Sequence, residues 1–253
     1  MDLGLKGLKA VVTGGTKGIG RAIARTLAAE GAHVALCARN ADEVAMTALE
    51  FSALGVKVFG GVTDVADGPG LAAFVSAAAE ALGGIDIVVA NVSALAVAGD
   101  EAAWQSGFAV DLMGTVRLVN AAMPHLERSA HGAIVTISSV SGREIDFAAG
   151  PYGAFKAAII HYTHGLACQL AGKRIRANSV SPGNTYFPGG VWEQIEQGNP
   201  EFFKQALALN PTGRMGTPQE MANAAVFLAS PAASFITGTN LLVDGALTKG
   251  VQF

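Results

Sequence analysis

The feature that most constrains the fold of this chain is a repeated alternation: short runs rich in β-branched residues are followed by longer, Ala-rich stretches of helical period through most of its 253 residues. Strand-like runs fall near 8–13, 33–37, 56–60, 86–90, 132–138, 175–180 and 240–243, with helical segments near 18–30, 41–54, 68–82, 101–127, 151–171 and 218–229. Asp67 and Asp100 stand where they would cap two of those helices. Apolar strands separated by helices of this length are βαβ units, so the pattern predicts a three-layer α/β fold: a doubly wound parallel sheet of seven or so strands with helices on both faces. A single domain over 1–253 is expected, and ligands in such a sheet gather at the carboxyl ends of the strands, where the strand order switches.

Composition narrows the function classes. Hydrophobic residues make up 51% and charged residues 15%, with 32 Gly, which fits a buried core threaded by tight connections and argues against disorder. A net charge of −3 without a dense Lys/Arg cluster argues against nucleic acid and for a small-molecule partner. Cys37 and Cys168 are too few for a disulfide framework and lack zinc-site spacing, which fits a reducing cytoplasm. The N-terminal residues lack a signal-peptide core and no run reaches the 18 or so apolar residues of a membrane span, so a soluble, cytoplasmic protein is expected.

Chemistry enters directly after the first strand, in the run Thr13-Gly-Gly-Thr-Lys-Gly-Ile-Gly20. Gly14, Gly18 and Gly20 allow a tight turn and close ligand approach, and the helix that starts there, at Thr16 to Ile19, offers unpaired N–H groups and a positive dipole end to a pyrophosphate. A glycine cluster is weak by itself and strong between a first strand and a first helix. The second strand ends in Arg39 rather than in an acidic residue that would bind the ribose 2′-hydroxyl of NAD, and Lys17 adds a second cation, so a 2′-phosphate and NADP(H) are favoured over NAD(H). The competing reading makes both cations solvated surface charges and lets Asp42 or Glu43 reach the ribose. Asp64 and Val65 after the third strand, and Asn91 after the fourth, stand where adenine and ribose would be bound.

A second constellation lies further along. Tyr152 and Lys156 are four apart on a predicted helix and therefore neighbours on one face, where an ammonium stabilises phenolate. Ser139, at the end of the run Ile134-Val-Thr-Ile-Ser-Ser139, is placed to donate a hydrogen bond to a carbonyl oxygen while Tyr152 gives or takes a proton. From Asn184 to Gly216 the alternation breaks: Pro188, Pro200 and Pro211 occur with Tyr186, Phe187, Trp192, Phe202 and Phe203, which reads as a substrate lid at 184–216, or else as a surface excursion with its aromatics in a local core. His161 and His164 have no acidic or Cys companion at useful spacing, so no metal is expected.

Taken together, Thr13-Gly14-x-x-x-Gly18-x-Gly20, Asp64, Asn91, Ser139, Tyr152-x-x-x-Lys156, Asn178-Ser-Val-Ser-Pro182-Gly183 and Asp244-Gly245 resemble the short-chain dehydrogenases/reductases, including 3-oxoacyl-[acyl-carrier-protein] reductase-like members, over essentially the whole chain. The resemblance implies a Rossmann fold that binds NAD(P) and moves a hydride between nicotinamide and a ketone or secondary alcohol carbon. It implies Tyr152 as general acid/base, Lys156 as the group that eases phenolate formation and holds the nicotinamide ribose, and Ser139 as the group that polarises the substrate oxygen. Pro182, Gly183 and Thr185 would border the carboxamide. It also implies a homo-oligomer, dimer or tetramer. Two positions depart from the family pattern: Asp111 stands where an Asn usually holds a water of the proton relay, and Val92-Ser93 replaces a smaller pair beside the cofactor. A carboxylate at Asp111 would partly neutralise Lys156. The aromatic lid favours an apolar or ring-bearing substrate, while Arg128, Lys173 and Arg174 leave a carrier-bound 3-oxoacyl thioester open. The alternative function is a non-catalytic dinucleotide-binding protein with a regulatory or assembly role.

Overall fold

A computed structural model describes residues 1–251. Strands β1 (Lys9–Thr13), β2 (His33–Ala38), β3 (Val58–Val62), β4 (Ile87–Ala90), β5 (Ala133–Ile137), β6 (Arg176–Pro182) and β7 (Asn240–Val243) form one parallel sheet in the order β3-β2-β1-β4-β5-β6-β7. The chain builds outward from β1 in one direction, returns, and builds outward from β4 in the other. The switch point therefore lies between β1 and β4, where a crevice opens at the strand carboxyl ends.

The two-residue period of the strands explains the layering. Ala10, Val12, Val34, Leu36, Val89, Val135 and Val180 face α1 (Gly18–Ala29), α2 (Ala41–Ser52) and α9 (Pro218–Ala229) in one apolar core. Their neighbours Val11, Ala35, Val88, Ile134 and Ala177 face α3 (Gly68–Leu82), α5 (Met113–Leu126) and α6 (Pro151–Leu170) in the other. Sheet positions such as Val11, Val12, Val88 and Val89 are sealed from water on both faces, which is why these strands read as continuous apolar runs.

Four details differ from the sequence expectation. The third strand lies two residues later than 56–60, because Gly60 and Gly61 belong to it: side chains there would collide with Val44 of α2 and Phe74 of α3. The helix expected over 101–127 is divided into α4 (Glu101–Gly107), a π-helical turn at Phe108–Leu112 and α5. Asp100 caps α4 by accepting from the Ala103 N–H at 2.8 Å, whereas Asp67 makes no side-chain cap bond and Asp64 accepts from the Ala66 N–H at 2.9 Å just before it. Finally, the 184–216 segment holds two helices, α7 (Val191–Gly198) and α8 (Pro200–Ala208). Pro200 opens α8, where a missing N–H costs nothing, and Asn199 accepts from the Phe202 N–H at 3.2 Å. The base of the segment is clipped shut: Gly216 donates to Asn184 O at 2.8 Å and accepts from the Tyr186 N–H at 2.9 Å. No helix among the described residues is long and apolar enough to cross a membrane.

Candidate active site

A cavity of about 970 Å³ runs over the strand ends from Arg39 to Trp192. Its wall brings together Gly14, Thr16, Lys17, Gly18, Ile19, Arg39, Asp64, Val65, Asn91, Ser139, Tyr152, Lys156, Pro182, Gly183 and Thr185, all singled out from sequence. Two others lie outside that wall. Gly20 packs behind the turn, where a side chain would collide with Gly14 O and the Asn91 amide. Asp111 sits behind Lys156, with its neighbour Val110 on the wall instead.

At the phosphate end, Gly14 and Gly18 have φ of +67° and +52°, the left-handed region that favours glycine. Asn91 fastens the turn to β4: its Nδ2 donates to Thr13 O at 3.1 Å and to Gly14 O at 3.3 Å, while its own N–H donates to Thr13 Oγ1 at 3.2 Å. α1 starts without a side-chain cap, leaving its first-turn N–H groups for an anion. The pattern of turn, uncapped helix and crevice fits a dinucleotide. From the lid, the Phe187 ring lies on the turn, so close that a Cβ at Gly18 would fall 2.5 Å from its Cζ.

The charge pattern at the end of β2 is mixed. Arg39 is exposed and has no ion-pair partner among the described residues, but Lys17 Nζ is 2.7 Å from Glu43 Oε1, and Thr16 Oγ1 donates to Glu43 Oε2 at 3.2 Å. The Lys17 ammonium, with Thr16 assisting, holds the Glu43 carboxyl below its ordinary value. Glu43 lines the cavity as well, so a 2′-phosphate here would meet two cations and one carboxylate.

At the other end, α6 starts at Pro151 and places Tyr152 and Lys156 on its cavity face. Lys156 Nζ lies over the Tyr152 ring, 5.6 Å from its centroid, and donates to Ile137 O at 3.1 Å. It is also 3.3 Å from Asp111 Oδ1, with both side chains only 2% exposed. That oxygen has no aligned hydrogen bond, so charge alone joins it to the lysine, while Asp111 Oδ2 accepts from the Ala94 N–H at 2.9 Å. The π-helical turn carries Asp111 to this point. Of the three tyrosines only Tyr152 lines the cavity. Burial pushes the Tyr162 phenol up, and a hydrogen bond to Glu196 at 2.6 Å pushes Tyr186 up to about 12, which leaves both poor proton carriers.

Ser139 sits at the end of β5. Its Oγ accepts from the Ser141 N–H at 3.2 Å and donates to Ser141 Oγ at 3.2 Å, and Ser141 Oγ donates to Asp146 Oδ2 at 2.6 Å. Nothing in the spacing of Ser141 and Asp146 marked them, because an irregular loop brings them together.

Two expectations about substrate change. Only Phe187 and Trp192 of the lid aromatics reach the cavity, beside Val191 and Gln194; Tyr186, Phe202 and Phe203 pack with Trp192, Ala206 and Met215 into a small core within the lid. Arg128, Lys173 and Arg174 lie where α5 and α6 lead into the amino ends of β5 and β6, the sheet edge opposite the cavity, and Lys173 is paired with Glu127 at 2.6 Å. They offer nothing to a carrier seated at the cavity mouth. Val92 and Ser93 are on the wall, so their extra bulk does shape the cavity.

Known proteins share this arrangement. The family model described as enoyl-(acyl carrier protein) reductase matches residues 14–248. Isoepoxydon dehydrogenase of Penicillium expansum is 42% identical over 100% of this chain and 99% of its own length. A 7α-hydroxysteroid dehydrogenase solved with NADH and 7-oxo glycochenodeoxycholic acid superposes with a TM-score of 0.90 at 31% identity, covering 97% of this chain and 96% of that one. The L-sorbose reductase of Gluconobacter frateurii, solved with NADPH and L-sorbose, gives 0.90 at 30% identity, covering 99% and 100%. The chain thus belongs to the short-chain dehydrogenase/reductase family, and is an NAD(P)-dependent oxidoreductase that moves hydride between its cofactor and an alcohol or ketone carbon.

Proposed function

We propose that residues 1–253 form one NAD(P)-binding domain with a lid at 184–216, and that it interconverts a ring-bearing ketone and its secondary alcohol using NADP(H) in preference to NAD(H). The observation that carries this reading is the presence of Ser139, Tyr152 and Lys156 on the wall of one cavity with the glycine turn. The dinucleotide would be held by Gly14, Gly18, Ile19 and the start of α1 at its pyrophosphate, by Arg39 and Lys17 at a 2′-phosphate, by Asp64, Val65 and Asn91 around adenosine, and by Lys156, Pro182, Gly183 and Thr185 at the nicotinamide end. When bound, it supplies or accepts the hydride.

In the reducing direction Ser139 Oγ turns its proton from Ser141 to the substrate oxygen, and Tyr152 donates the proton that completes the alcohol. Lys156 stabilises the phenolate that remains, working against Asp111, which draws on the same ammonium. The lid supplies one ring face, Trp192, and the glycine-turn cover, Phe187, both suited to an apolar ring. The names of two similar proteins, a hydroxysteroid dehydrogenase and isoepoxydon dehydrogenase, favour a cyclic alcohol over a carrier-bound thioester, and their being dehydrogenases gives the non-catalytic alternative no support. We place the protein in the cytoplasm as a homo-oligomer, a dimer or tetramer.

The test is NADPH oxidation across a panel of cyclic ketones, linear ketones and 3-oxoacyl thioesters. Tyr152→Phe should lower kcat by about 10²–10⁴ while NADPH still binds. A variant as active as the wild type would remove Tyr152 from the reaction, and best turnover on the thioesters would overturn the ring-bearing substrate.

A further inference from the structure

The chain Ser139–Ser141–Asp146 does not end at the carboxylate. Asp146 Oδ2 accepts from Ser141 Oγ at 2.6 Å and its Oδ1 accepts from the Ala148 N–H at 2.8 Å, so this side chain fixes the loop between β5 and α6 at two points. The next residue, Phe147, packs edge-on against Trp192 of α7 at 5.6 Å between ring centroids and against Phe202 of α8 at 5.5 Å. Trp192 is both a wall residue of the cavity and the buried centre of the lid core. Two adjacent residues therefore connect the lid to the serine at the reacting end.

The hydrogen-bond inventory gives this connection a direction. A serine hydroxyl has one hydrogen to donate. Asp146 takes the hydrogen of Ser141, so toward Ser139 the Ser141 oxygen acts only as an acceptor. With the Ser141 N–H also bound to Ser139 Oγ, the position of that oxygen is set on two sides, and its hydrogen rests on Ser141 until a substrate oxygen competes for it. If Asp146 were removed, Ser141 would be free to donate to Ser139, and the loop bearing Phe147 would lose the two ties that Asp146 makes.

We infer that Asp146 is a positioning residue that acts through Ser141 to hold the Ser139 hydroxyl in register with the lid, so that a ring-bearing substrate seated against Trp192 meets a donor already aimed at its oxygen. The inference rests on the role proposed above for Ser139. It makes lid and donor a single unit.

The experiment uses purified full-length protein, NADPH and the best cyclic ketone of the panel. Asp146→Ala should lower kcat about ten-fold, less than the 10²–10³ for outright loss of one oxyanion donor, with NADPH affinity unchanged. Asp146→Asn, which still offers an acceptor oxygen to Ser141, should recover most of the loss. In a Ser141→Ala background Asp146→Ala should cause little further loss, because the link is already cut. Full activity of Asp146→Ala, a loss of equal size in the Ser141→Ala background, or failure of Asp146→Asn to recover activity would each overturn the inference. NADPH binding and Tm report folding. If Asp146→Ala does not fold, Ser141→Ala cuts the same link from the other end, and its full activity would be equally fatal. Ser139→Ala keeps the two readings apart: if it is fully active, the role of Ser139 fails; if it is inactive while Asp146→Ala is normal, only the coupling fails.

Discussion

Asp111 and Lys156 are two opposite charges 3.3 Å apart and sealed from water. At an effective dielectric of about 20 their attraction is about 5 kcal/mol, much of it offset by the desolvation of both groups. The pair is therefore more a device for setting charge than a source of stability. It opposes the field that Lys156 directs at Tyr152, and it holds the Ala94 N–H beside Leu95, whose φ of +49° is unusual for a residue with a side chain. Asp111→Asn keeps an acceptor for Ala94 and removes the charge. The expected result is a rate profile for alcohol oxidation whose acid limb moves to lower pH, because the unopposed ammonium favours phenolate. It should come with a lower Tm, since a buried cation has lost its partner. An unmoved profile would show that the carboxylate does not act on Tyr152. The presence of a carboxylate near Lys156 was implied by the family resemblance, whereas direct pairing was not, because it depends on the π-helical turn at Phe108–Leu112.

At the scale of elements, the segment least legible in sequence was the lid. Its three prolines read as breakers, yet Pro200 begins a helix rather than ending one, and the aromatics that suggested a substrate cover mostly build the lid's own core. By contrast, the glycine turn and the Tyr152/Lys156 pair were legible because each is written in a short stretch of sequence, about one helical turn for the pair and one βα connection with the first turn of its helix for the glycines. The lid returns to the sheet through α9, whose start is a capping box: Thr217 Oγ1 accepts from the Glu220 N–H, and the Glu220 side chain accepts from the Thr217 N–H at 2.8 Å. Arg214 adds a two-pronged contact to the same carboxylate, 2.6 and 2.9 Å, and these partners, Arg214 first, hold Glu220 down to about 2 from an ordinary 4.5. Because the folded value is depressed, the stabilisation is complete above pH 4.5 and is lost as pH falls toward 2. The contact is exposed and screened, so its worth is small. Glu220→Gln should lower Tm by about 1–3 °C at neutral pH and low salt, and the gap between the two proteins should narrow below pH 4.5. A gap that is constant with pH would assign the effect to the cap geometry and not to the charge.

At the scale of the whole molecule, the cavity is where both halves of the sheet converge: the ends of β1 to β6, the start of α1, α6 and the lid all contribute wall residues. The sheet order that makes this possible was legible as a class, from the alternation of strand and helix, because each strand's apolar run records burial on both faces. The charge pattern around the cofactor site was less so: Arg39 could be read from the end of β2, but the Glu43 that pairs with Lys17 lies a helix and a strand away in sequence and meets it only in the fold. These two facts meet in one measurement. A ligand that binds only the folded chain, at a hundred times its Kd, adds about 2.7 kcal/mol to stability, which for a chain of this size is a rise in Tm of about 5–10 °C. If residues 1–253 are one domain, NADPH should raise a single cooperative transition as a whole; two transitions of which only one moves would divide the chain into two domains. If the proposed preference holds, at equal concentrations NADPH should raise it more than NADH, because Arg39 and Lys17 on the cavity wall would meet a 2′-phosphate that NADH lacks. Arg39→Asp should abolish most of the NADPH shift and leave that of NADH, whereas Glu43→Gln, which frees Lys17, should enlarge the NADPH shift alone. Equal shifts by the two cofactors in the wild type would mean that Glu43 has already cancelled the cationic pair, and that the site takes either dinucleotide.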